Sequence, residues 1–143
     1  MTRPSLHRCP CCGYAKLVAS CRPGRVIRYR NTALTLPQEL PLPYCQRCKY
    51  EDLSLATLPS GLAETLYRNG LRERAQIEIA SLRPHLAKKK LELILNLSHG
   101  YLSRLGSGDS VPGAPLVSLL ALLAAHPELI EQLEAYWTLP PTG

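Results

Sequence analysis

Phenylalanine is absent from these 143 residues, and methionine and tryptophan occur once each. A core must then be built from aliphatic side chains, and the leucines that dominate here suit helices better than strands, which favour β-branched and aromatic residues. Acidic residues are almost missing from one end. Residues 1–50 hold nine basic side chains against Glu39 alone, a balance of +8, whereas 51–98 come to +1 and 99–143 to −3. An overall charge of +6 accompanies nucleic-acid or acidic protein partners, and the excess sits at the N-terminal end. Long apolar runs are also lacking: Leu116 to Ala125 is too short to span a bilayer, and polar Met1 to Arg8 does not read as a signal peptide. A cytoplasmic protein without a membrane segment is expected. No nucleophile elbow, phosphate loop, paired carboxylates or His-Glu-x-x-His pattern is present, so an enzyme is not expected. His7, His85, His99 and His126 share no ligand or catalytic spacing and are assigned no chemistry.

Cysteine is what the chain does have. In a reducing compartment six cysteines argue for metal binding over disulfides. Cys9-Pro-Cys-Cys12 and Cys45-Gln-Arg-Cys48 are two C-x-x-C hooks, in each of which one tight turn can aim both sulfurs at one ion, with Gly13 free to close the first. Four thiolates suit the tetrahedral preference of zinc, so one structural zinc ion per chain is expected on Cys9, Cys12, Cys45 and Cys48, with iron or two disulfides as the competing readings. Protein would fill all four positions, leaving none for a substrate. Cys11 and Cys21 remain as spare thiols. The surrounding arginines and lysines would partly balance the thiolate charge.

The pattern along the chain predicts an α+β protein with a zinc-binding β module (1–58), a helical connector (59–83) and an all-α C-terminal domain (84–143). Arg25 to Arg30 alternates like a strand, with Arg25, Arg28 and Arg30 on one face. Leu62, Leu66, Leu71, Ile77, Ala80 and Leu82 are spaced for one buried helical face that begins near Pro59 and Ser60, is weakened at Gly70 and ends at Pro84. Lys88 to Leu95 and Pro115 to Ala125 read as helices, and Pro127 opens a last one with Glu128 in its first turn. Trp137 and Tyr136 read as terminal packing. No internal repeat is expected.

Residues 86–120 carry a further pattern. Leu91 and Leu95 fall on one face of a first helix, and Leu102 and Leu105 on one face of a second. Between them Asn96 suits a left-handed turn, Leu97 a plug at the corner and Ser98 a helix cap. This segment resembles the helix-turn-helix of phage-repressor-type (XRE/Cro-like) regulators. Together with the C-x-x-C pair and the terminal His126-Pro-Glu-Leu-Ile130, the whole chain resembles an MqsA-type antitoxin with a YgiT-type zinc module in front. The resemblance implies a homodimer formed through the C-terminal domain, repression of its own operon by binding double-stranded operator DNA, and a partner toxin held by the zinc module. It places Lys88, His99, Gly100, Tyr101, Ser103 and Arg104 at the DNA, with Arg104 reaching bases or phosphates. The chain departs from the family pattern at Lys88, where Gln is usual, at Gly100, where a base-reading Asn is usual, at Gly106, where Glu is usual, and at Glu92, where a small Ala is usual. A carboxylate at that helix crossing is expected to disturb the packing angle. A zinc-stabilised protein adaptor with a degenerate helix-turn-helix is the alternative reading.

Overall fold

A computed structural model describes residues 8–142; His7 and the rest of the polar N-terminal stretch before Arg8 lie outside the described residues. Among the described residues the architecture is α+β, four short strands followed by five helices. It divides into two compact units, Met1–Tyr67 and Arg68–Gly143, so the segment read as a connector is shared between them. Among the described residues no helix is long and apolar enough to cross a membrane.

The first unit nests one antiparallel pair within another. The outer pair is β1 (Val18–Ser20) with β4 (Leu42–Tyr44), and the inner hairpin is β2 (Val26–Tyr29) with β3 (Thr32–Thr35). The hairpin turns at Arg30 and Asn31, both left-handed (φ 50° and 58°), the pairing of conformations that a two-residue turn needs to match strand twist. Ile27 lies opposite Leu34, and both enter a small core with Leu36, Leu42 and Leu58. Ala63, Leu66 and Tyr67, from the first turns of α1 (Leu62–Leu82), pack against it. Glu64 secures that contact by accepting the Tyr29 hydroxyl at 2.7 Å and pairing with Arg30 at 3.6 Å.

Arg25 corrects the expectation of a basic strand face. It precedes β2, is buried, and donates to the carbonyls of Ser20 (3.3 Å), Pro37 (2.8 Å) and Leu40 (2.6 Å), while Arg28 is exposed and Arg30 sits in the turn. A guanidinium with its fork of donors can tie three chain segments at once, which apolar side chains this sparse do not.

In the second unit α1 runs unbroken through Gly70 and stops at Leu82, two residues before Pro84. Its buried face is Leu71, Ala75, Ile79 and Leu82; Ile77 and Ala80, expected inside, are exposed, because the true stripe follows i, i+4, i+8 spacing from Leu71. Then come α2 (Lys88–Ile94), α3 (Tyr101–Ser107), α4 (Ala114–Ala125) and α5 (Leu129–Thr138). Their core is Leu86, Leu91, Ile94, Leu102, Leu105, Val117, Leu120 and Leu123. Leu95 is a half-buried C-cap rather than a core residue, and Leu97 is likewise only half-buried at the corner. Glu128 is the N-cap of α5, leaving Glu131 as the first-turn acid, and Tyr136 and Trp137 are exposed.

The corner between α2 and α3 holds the largest departure from expectation. Asn96 is left-handed (φ 55°), as its type allows, but Ser98 does not cap α3; Gly100 stands at the N-cap with φ 80°. Glu92, 6% exposed, supplies the cap instead: its carboxylate accepts the Leu102 N–H at 3.0 Å. The Leu102 amide, with smaller help from the Gly100 amide and from His99 and Arg104, outweighs burial and holds the Glu92 carboxyl below its ordinary range. The carboxylate therefore joins the helices it was expected to disturb.

Candidate metal centre

The two hooks are copies of one backbone device. In the first, Gly13 N–H donates to the Cys9 carbonyl at 2.9 Å and Cys9 N–H to the Tyr14 carbonyl at 3.0 Å; in the second, Lys49 donates to Cys45 at 2.9 Å and Cys45 to Tyr50 at 2.7 Å. The residue after each second cysteine is left-handed, Gly13 at φ 75° and Lys49 at φ 69°. The underlying repeat is Cys9-Pro-Cys-Cys-Gly-Tyr14 and Cys45-Gln-Arg-Cys-Lys-Tyr50. The two hooks thus share a six-residue pattern, and its signal beyond the cysteines is the Tyr five residues after each leading cysteine.

Each hook turns its sulfurs toward the other. Cys9 and Cys48 Sγ stand 3.5 Å apart, Cys12 and Cys45 Sγ 3.6 Å, and all four lie within 4.8 Å of one another. Bonded sulfurs would be about 2.05 Å apart, so these are not disulfides, and all six cysteines are free. Thiolates arranged tetrahedrally about 2.3 Å from one ion stand about 3.8 Å apart, and the Cys9–Cys48 and Cys12–Cys45 separations lie near that. Cys9, Cys12, Cys45 and Cys48 can therefore hold one metal ion, filling a tetrahedral shell; Cys11 and Cys21 are exposed and outside it, Cys21 donating to the Glu39 carbonyl.

The local field favours charge on some sulfurs over others. The Cys48 backbone amide, 3.5 Å from the Cys45 sulfur, is the main influence bringing Cys45 down to about 6, against the effect of burial. Cys9 is also lowered: burial raises it, but the amides of Cys12 and Cys11 outweigh that. At Cys48 the Tyr50 amide favours the thiolate, yet burial and the crowd of neighbouring thiols push it up to about 12. Cys12 is raised, its help from the Tyr14 amide outweighed in the same way. A divalent ion removes that conflict by stabilising all four as thiolates.

The side chains nominated for DNA contact lie in the second unit. Arg104 folds back over the start of α3, donating to the Ser98 hydroxyl (3.1 Å) and the His99 carbonyl (3.4 Å), with its guanidinium 5.8 Å from the centre of the Tyr101 ring. Gly100 lies under it, since a Cβ there would stand 3.5 Å from an Arg104 nitrogen. His99, Gly100, Tyr101 and Arg104 are thus brought together, and Ser103 is exposed one residue away. Lys88 is not among their partners; it lines a groove of about 360 Å³ with Gln76, Arg83 and Leu102. Comparison with known proteins brings no family: no family model matches the chain, and no curated protein matches it significantly.

Proposed function

We propose that this protein is a zinc-containing DNA-binding regulator of the antitoxin type, neither an enzyme nor a membrane protein, acting in the cytoplasm as a homodimer. The observation that carries the reading is the α2–α3 corner. Two seven-residue helices meet through left-handed Asn96 and Gly100, bury Leu91, Ile94, Leu102 and Leu105, and leave Ser103 and Arg104 facing outward. That arrangement supports reading the corner as a helix-turn-helix, whose second helix would enter the major groove. Arg104 would read guanine or hold phosphate after releasing Ser98 and His99, with His99, Gly100 and Tyr101 beside it and Lys88 on the backbone.

Zinc is the metal that the four-thiolate set fits best, and its role is structural. Dimerisation through the C-terminal domain is supported by α5 burying no residue and by an apolar groove of about 450 Å³ that Leu93 and Ile94 of α2 form with Trp137 of α5. A partner toxin on the basic first unit completes the antitoxin reading. The test is titration of the gene's own upstream duplex: binding that falls steeply with salt and weakens about tenfold in Arg104→Ala is expected. No promoter binding at low salt would defeat it.

A second reading, a zinc-stabilised protein adaptor, is favoured by two observations: Arg104 is engaged by Ser98 and His99 in the corner before its helix, and residues 99–143 carry −3. Capture of an acidic protein by a chain that ignores promoter DNA would establish it.

A further inference from the structure

The basic charge of the first unit is not used up by the fold. Arg25 is buried on carbonyls and Arg30 is paired with Glu64, but Arg8, Lys16, Arg22, Arg28, Arg47 and Lys49 are exposed, and among the described residues none has a carboxylate partner. None of their side chains is seen donating to a sulfur either; the four clustered sulfurs meet one another and backbone amides of the hooks.

Two of these cations are laid over rings. Arg47, between the ligands of the second hook, places its guanidinium 6.0 Å from the centre of the Tyr14 ring, which follows the first hook and is 40% exposed. Arg22 lies 4.8 Å over Tyr44, the residue before Cys45. Both rings adjoin the metal hooks, and the path along the chain through the 3.6 Å Cys12–Cys45 contact keeps the Cα atoms of Tyr14 and Tyr44 no more than about 20 Å apart.

We propose that the first unit binds single-stranded nucleic acid, with Tyr14–Arg47 and Tyr44–Arg22 as base-stacking platforms and Arg8, Lys16 and Lys49 as backbone contacts. A planar cation over an aromatic ring offers two π-faces to an unstacked base, and a surrounding cationic surface neutralises phosphate. An acidic peptide would use the charge but has no use for the rings. The inference is independent of the α2–α3 corner and stands or falls separately from operator binding.

The experiment is fluorescence anisotropy of the full metal-loaded chain with labelled dT12 and rU12. If Arg8, Lys16 and Lys49 engage the backbone, raising salt from about 50 to about 200 mM weakens binding about 20-fold. Tyr14→Ala and Arg47→Ala should each weaken it about tenfold by removing a stacking face. Arg47→Lys keeps the charge but loses the plane, and should recover only part of the loss; unchanged metal content in each variant shows that the hooks remain formed. Arg74→Ala, at an exposed cation of the second unit outside both proposed sites, should leave binding to both oligonucleotides unchanged. Full affinity in Tyr14→Ala and Arg47→Lys, loss in Arg74→Ala, or equal competition by a polyglutamate of the same length would overturn the proposal, the last by making the surface a site for acidic protein.

Discussion

The two units are stabilised by different kinds of contact. The second is held by aliphatic faces: Leu71, Ala75, Ile79 and Leu82 of α1 lie on one continuous stripe, and the helices after it add Leu91, Ile94, Leu102, Leu105 and Leu120. The first has strands of three and four residues and a small apolar cluster, and its segments are joined by polar groups instead. Four sulfurs bring residues 9 and 12 to 45 and 48, and one guanidinium joins residues 20, 37 and 40. A chain this short in apolar surface needs such staples to fold, whereas a helical stripe stabilises itself by burial.

The strongest way to break that contrast is to remove the metal. Binding of a structural zinc ion contributes about 10–16 kcal/mol, more than the small core of the first unit can replace. Chelation, or Cys45→Ala, is expected to unfold the strands while most of the helical circular-dichroism signal persists, because α2 to α5 contain none of the ligands. Purified protein should carry one metal ion per chain by elemental analysis. A single transition that removes strand and helix signal together would show that the division is false.

The second unit has one polar anchor of its own, and it provides a smaller test. Glu92→Ala removes the acceptor of the Leu102 amide and should cost about 2 kcal/mol in urea unfolding; Glu92→Gln, which keeps an acceptor oxygen, should cost less. The sign with pH follows from the lowered carboxyl. Its contribution is complete above the ordinary Glu value of 4.5 and is lost as pH falls through the lower folded value, so wild-type helices should weaken below pH 4.5. Glu92→Ala should flatten that acid limb, and an unchanged limb would mean that the carboxylate is not the cap.

These anchors also mark where the sequence was readable. The sulfur quartet could be read because C-x-x-C spacing is a local covalent rule, and the helices because apolar periodicity is local as well. Arg25 was misread as a surface charge because its three carbonyl partners lie 5 to 15 residues away and carry no side-chain signature. Glu92 was noticed as a departure but given the wrong effect, since its partner is a backbone amide ten residues on. Ser98 was chosen as the cap by residue type, although the N-cap position takes a φ of 80°, which suits glycine and falls at Gly100. What was missed is what folding brings together across the chain.

The smallest expected effect compares the hooks with each other. Both need a left-handed residue after the second cysteine, and the chain supplies Gly13 in one and Lys49 in the other. A side chain in that conformation carries about 1–2 kcal/mol of strain, part of which glycine gives back through the greater freedom of the unfolded chain. Lys49→Gly should therefore stabilise the metal-loaded protein by about 0.5–1 kcal/mol and slow metal transfer to a competing chelator. Gly13→Ala should do the opposite by about 1 kcal/mol, and the loss is conformational rather than steric, because a Cβ there meets nothing within 4 Å. Were both substitutions neutral, the left-handed closure would not limit either hook, and the likeness of the two would be one of sequence without energetic weight.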